Sequence, residues 1–193
     1  MTDQEQFGSY EDSGLVVAVD LVNGLTLRHA FGRPVPPTEP FSAVKRVLEI
    51  DPASAAQLRD RDVPGFITLA TQLREVFRNL HHRNIDAAAS RLNELLAAHT
   101  AHPHLAKDDG RWHVHHHPID AGLVPMATAV SAEAMARMIG AGEGNRLGTC
   151  DSDDCDRVFL DGSKNGSRRF CSTTCQNRVK AAAFRRRQAT SHV

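Results

Sequence analysis

The chain has 193 residues, 41% of them hydrophobic and 24% charged, with a formal net charge of zero. No apolar run approaches the roughly 20 residues of a membrane-spanning helix, and the composition is that of a soluble globular protein, expected in the cytoplasm. The zero charge conceals an asymmetry: residues 162–193 hold eight Lys or Arg and no acid, whereas residues 1–149 hold 14 basic and 18 acidic side chains.

Residues 1–13 are polar and acidic and predict a disordered tail. Residues 15–30 follow with Leu15, Val19, Val22, Leu21 and Leu25 at helical spacing. Asp20, Asn23 and Arg28 fall among these apolar positions. Asn23 is expected either to bridge neighbouring backbone or, with Arg28, to line a small-molecule pocket. Four prolines between Gly32 and Pro40 predict a loop. A short helix is expected over 41–50, then a second one capped by Asp51 with Pro52 at its first position.

Pro64 opens the clearest amphipathic segment, in which Phe66, Leu69, Leu73, Val76, Phe77 and Leu80 keep a 3.6-residue period. Asn84 can cap the next helix, whose inner face is Ile85, Ala88, Leu92, Leu95 and Leu96. A β-hairpin is expected over about 104–118, turning at Asp108-Asp109-Gly110. On its second strand His113, His115 and His117 share one face and could converge on a metal, although solvent or packing is the plainer expectation. Residues 119–140 predict the last helix of this part, with Leu123, Met126, Ala127, Val130, Ala134 and Met138 inward. The Ala141-Gly-Glu-Gly144 stretch ends it, so a helical domain is expected over 14–142 and a separate module over 145–193.

All four cysteines lie in that module, as Cys150-x4-Cys155 and Cys171-x3-Cys175 with fifteen residues between the pairs. This is the spacing of a structural tetrahedral zinc site, which takes four soft donors. Two disulfides or four unrelated thiols are the competing readings. Disulfides need an oxidising compartment, and the N-terminus has no apolar signal core. Val158 to Leu160 predict a strand, the turn-rich residues 161–166 a loop, and residues 167–170 the returning strand. A helix is expected over 172–188, capped by Ser172 or Thr173, with Cys171 and Cys175 on one face of its first turn.

The stretch from Phe159 to Arg187 resembles the CGNR zinc finger, a C-terminal module of bacterial transcription regulators. The matching residues are Phe159-Leu-Asp161, Asn165-Gly-Ser-Arg-Arg169, Cys171-Ser172 and Cys175-Gln176-Asn177-Arg178. Gln176 stands where the family has glycine, and the last cysteine spacing is three where members often have four. In such proteins the finger follows a helical domain called ABATE, and Asp20-Leu-Val-Asn-Gly24 resembles its early motif. The resemblance implies a regulator with DNA as partner, a small-molecule effector and a homodimer as further expectations, and no membrane.

The expected fold class is therefore mainly α with a small hairpin (α+β), a helical domain followed by a small treble-clef-like zinc finger. One zinc per chain is expected on Cys150, Cys155, Cys171 and Cys175. The expected nucleic-acid contacts are Lys164, Arg168, Arg169, Arg178, Lys180, Arg185, Arg186 and Arg187, with Arg178 also placed to support the cysteines. No Walker loop, GxGxxG, HExxH or GxSxG is present, and no catalytic site is expected. The alternative function is a protein-interaction or RNA-binding adaptor; a hydrolytic histidine site is a third reading.

Overall fold

The computed structural model describes residues 13–98, 104–108, 110–115 and 122–190. Seven α-helices and three two-stranded antiparallel ladders lie among them. The expected tail lies outside the described residues, Ser13 excepted.

Helix α1 (Ser13–Leu25) buries Leu15, Ala18, Leu21 and Val22. It ends five residues earlier than its periodicity suggests, because His29–Ala30 (β1) pairs with Arg33–Pro34 (β2). The two residues between them, Phe31 and Gly32, have φ of 55° and 81°. This is the left-handed pair that a tight hairpin turn requires.

Glu39 caps α2 (Pro40–Leu48) and Asp51 caps α3 (Pro52–Gln57), each with proline in the first turn. Proline belongs there, since its missing N–H would have no helical partner in any case. Helix α4 (Val63–His81) buries the whole expected stripe from Phe66 to Leu80. Asn84 caps α5 (Ile85–Ala98), accepting from the Ala87 amide. Strands β3 (His104–Asp108) and β4 (Arg111–His115) pair antiparallel as the expected hairpin, Asp108 opposite Arg111; Asp109 of the expected turn lies outside the described residues. Leu105 and Trp112 on the hairpin are exposed.

Helix α6 (Leu123–Gly140) departs from its expected stripe. It buries Ala127, Thr128, Ala129, Ser131, Ala132, Ala134 and Met135, while Met126, Val130 and Met138 are only partly covered. The reason is packing on more than one side, against α1, α4 and α5. A helix enclosed in this way needs small residues, not a single apolar edge.

The apolar core does not stop at residue 142. Leu147 on β5 (Leu147–Thr149) and Val158 on β6 (Val158–Leu160) belong to the same buried cluster as Leu21, Phe66, Leu73 and Phe77. Strands β5 and β6 pair with each other, Leu147 opposite Leu160 and Thr149 opposite Val158. The expected partner of 158–160 was 167–170, which instead is non-strand chain tied to the knuckle by the Asp151 N–H bonding the Arg169 carbonyl. Gly148 favours the choice: a Cβ there would stand 2.8 Å from the Phe159 ring, which would then have to move.

One polar side chain locks this hairpin onto the helices. The Asn23 carboxamide donates to the Val158 carbonyl and accepts from the Val158 amide, both at 3.0 Å. It continues the ladder as a strand would, from 135 positions away in the chain. Asn23→Ala should leave both groups of the 1% exposed Val158 without a partner and cost about 1–3 kcal/mol in urea unfolding. Asn23→Asp should not restore it, because a carboxylate can accept but has no N–H for the carbonyl. An unchanged midpoint in both variants would remove Asn23 from the docking.

Candidate metal centre and nucleic-acid interface

The first two cysteines flank a tight knuckle between β5 and β6. Cys150 donates its amide to the Arg157 carbonyl, and Asp154 turns the chain with φ of 54°. The second pair surrounds the start of α7 (Thr173–Thr190). Ser172 is its cap: the Ser172 hydroxyl accepts from the Cys175 amide at 3.3 Å and its carbonyl accepts from Gln176 at 3.2 Å. Cys175 is therefore the third helical residue, while Cys171 lies before the helix. The expectation of two cysteines in one helical turn is thus corrected by one residue pair, because the capping serine must keep a non-helical conformation.

The four sulfurs lie within 4.8 Å of one another. The Cys155–Cys171 separation is 3.8 Å, and Cys171–Cys175 and Cys175–Cys155 are each 3.7 Å. A regular tetrahedron with metal–sulfur bonds of about 2.3 Å has edges of about 3.8 Å. A disulfide would need about 2.05 Å, and all four cysteines are free thiols. Cys150, Cys155 and Cys175 are buried, with Phe170 packed against them. The Cys171 amide points at the Cys150 sulfur, 3.4 Å away, a donor of the kind that supports a metal-bound thiolate. The cysteines are positioned to hold one metal ion, and four thiolates at this spacing fit zinc.

Burial raises the thiol pKa of Cys150 to about 11, and burial and the neighbouring sulfurs push Cys171 up as well. Both are protonated at neutral pH without a cation, so binding a metal must expel their protons. The side chains of His113 and His115, and all of His117, lie outside the described residues. The cysteine cluster is the metal-capable group found among those described.

The knuckle is held to the helical part by its aspartates. The Asp156 carboxylate accepts from the amides of Arg28 and His29, at 3.0 and 2.7 Å. Its own amide donates to the His29 carbonyl, and Arg74 from α4 donates to its carbonyl at 2.8 Å. Asp151 faces His81 at 3.5 Å and Arg169 at 2.7 Å. Gly32 donates its amide to the Asp154 carbonyl, and the Arg178 guanidinium lies 1.9 Å from where a Gly32 Cβ would be. The anchoring roles of Arg74, Asp156 and Gly32 were not read from the sequence.

The expected basic residues fall into two groups. Arg178 donates to the Ser152 hydroxyl at 3.1 Å and to the Asp153 carbonyl at 3.3 Å, both in the knuckle. Arg168 donates to the carbonyls of Phe170 and Cys171 and lies over the Phe159 ring. Arg169 is tied to Asp151 and lies over Phe170. The second group, Lys164, Lys180, Arg185, Arg186 and Arg187, is exposed, as Arg168 and Arg169 also are.

Asn23 also lines a cleft of about 250 Å³ with Gly24, Leu27, Val35, Pro37 and Ile67; Arg28 lies outside it. Arg28 is exposed and enters the contacts above through its backbone.

No helix among the described residues is long and apolar enough to cross a membrane. A family model described as CGNR zinc finger matches residues 146–188. A second, ABATE, described as "Putative stress-induced transcription regulator", matches residues 15–142. No curated protein matches the chain.

Zinc uptake at pH 7 should release at least the protons of Cys150 and Cys171. Apparent affinity should therefore climb as pH rises toward about 11 and fall in acid. Calorimetry in two buffers of different ionisation enthalpy reads the proton count directly; release of less than one proton would contradict this geometry. Cys175→Ser should bind less than a tenth of an equivalent of zinc after dialysis.

Proposed function

The chain belongs to the ABATE family and carries a CGNR zinc finger after that domain, and on that premise we propose that it is a zinc-dependent DNA-binding transcription regulator. The observation that carries the reading is helix α7. It starts at the cysteine cluster, bears Arg178, Lys180, Arg185, Arg186 and Arg187 and no acid, and every described side chain from Phe184 to Ala189 is exposed. A metal-fixed base with a cationic rod suits a polyanion. Lys164 on the neighbouring loop adds to the same charge.

Zinc would be held by Cys150, Cys155, Cys171 and Cys175, supplying the cross-link that orders a module too small for a core of its own. The bound cation with four thiolates carries a formal charge of −2. Arg168, Arg169 and Arg178, all bonded around the knuckle, offset it and shape the site. Contact with the polyanion then falls chiefly to Lys164, Lys180, Arg185, Arg186 and Arg187. The role proposed is binding, not catalysis. The helical domain supports a sensing role through the cleft at Asn23, since the same carboxamide lines the cleft and grips Val158.

Titration of duplex DNA by the zinc-loaded chain should show log affinity falling with log salt at a slope of about −4 to −5, for about five cationic contacts. Replacing Arg185 and Arg186 with Ala should flatten the slope by up to about two units on every sequence alike. No duplex binding at low salt, with zinc retained, would favour the adaptor reading instead.

A further inference from the structure

We infer that α7 reads base edges in the DNA major groove through one stripe: Asn177, Lys180, Ala181, Phe184, Arg187 and Gln188. The inference rests on the DNA-binding reading and deepens it by naming which side chains specify sequence. On a helix turning about 100° per residue these positions cluster on the side opposite Cys175, the residue that roots the helix in the cysteine cluster. The burial agrees: Cys175 is buried and Val179, Ala182 and Ala183 are partly covered, whereas all six stripe residues are exposed. The face turned from the body is thus fixed by where the metal site grips the helix.

The chemistry of the stripe differs from that of its flanks. Arg185 lies beside it and Arg186 further round toward the Cys175 side, and both are purely cationic, which suits phosphates. The stripe alternates carboxamide, cation and aromatic groups. Carboxamides bond adenine in two-point fashion, a lysine or arginine bonds guanine, and an apolar group packs on the thymine methyl. Phe184, 55% exposed, is the telling residue. A helix that needed only charge and solubility would have no use for a ring two turns beyond its last anchor. From Asn177 to Gln188 the stripe runs about 16 Å, some five base-pair steps, and the major groove is wide enough to admit a helix.

Arg168 and Arg169 are among the nucleic-acid contacts expected from the sequence. Their guanidinium groups instead bond Phe170, Cys171 and Asp151 around the metal site. That leaves α7 as an element with exposed polar and apolar groups in register.

The test is selection from a random duplex pool by the zinc-loaded full chain, then binding of the selected site by variants. Asn177→Ala should flatten preference at one position and weaken the selected site by about 5- to 150-fold, leaving non-selected duplexes unchanged. Replacing the contacted thymine by deoxyuridine, which lacks only the methyl, should weaken the wild type. It should have no effect on Phe184→Ala. Zinc content and helicity equal to wild type show that the variants fold. Duplex binding without base preference, or preference unaltered in both variants, overturns the inference while leaving the DNA-binding function intact. Failure to bind any duplex, or tighter capture of single-stranded RNA, overturns both.

Discussion

Everything at the C-terminal end depends on how the knuckle between Cys150 and Val158 is seated on the helices. Asn23 supplies a ladder pairing to Val158, and Asp156 supplies a carboxylate to two amides of the β1 turn. These contacts come from both partners at once: α1 offers a side chain to finger backbone, and the finger offers a side chain to domain backbone. Such reciprocal use of side chains resists sliding, because a shift of either element by one residue would orphan four backbone groups, each a costly loss when covered. Leu147 and Val158 then place apolar surface under the contact, at about 1.5–3 kcal/mol for each fully buried side chain. The cysteine cluster is therefore built on a foundation that it shares with the helical domain.

The parts legible in sequence were those set by local rules. Capping by Asp51, Asn84 and Ser172 needs only a few neighbouring residues, and the structure shows all three. The stripe of α4 has a single covered face, so periodicity found it. The cysteine pairs were legible because metal ligation demands short spacing. What escaped depended on distance in the chain. A three-residue strand such as Val158 to Leu160 has too little pattern to announce its partner, and proximity in sequence suggested residues 167–170. The true partner packs a glycine against a ring, Gly148 under Phe159. Asn23 was weighed as a bridge to neighbouring backbone; it is a bridge, but to backbone at the other end of the molecule.

The loop after β6 shows why the motif residues at 161 and 165–169 hang together. Asp161 is buried, and its carboxylate accepts from the amides of Ser163 and Arg168 at 2.8 and 2.7 Å. Burial by itself would raise its pKa, but these hydrogen bonds and the Arg146 charge outweigh that and hold it below the usual carboxylate range. The resulting stability is present above the ordinary carboxylate pKa and is lost as acid protonates the folded group. Arg146 meanwhile bonds the carbonyls of Asp161 and Ser163. One anion thus gathers the loop's amides and one cation its carbonyls, so the chain arrives at Arg168 aimed to wrap Cys171.

The orientation of α7 follows from the same seating. Its root is fixed by Cys175, by the Ser172 cap and by Arg178, whose guanidinium bonds the knuckle and lies against Gly32 of the β1–β2 turn. Gly32 tolerates this for two reasons: its φ is left-handed, and no Cβ stands in the way. Beyond Ala183 no described side chain is covered up to Ala189. An eighteen-residue helix is about 27 Å long. A tilt of roughly 10° at the root would carry its tip about 5 Å, more than one base-pair step. The helix behaves as a pointer whose aim is set in the first turn. Anything that shifts the knuckle, whether loss of the metal or strain at Asn23, is magnified along its length, whereas changes elsewhere in α4 or α5 reach it only through that seat.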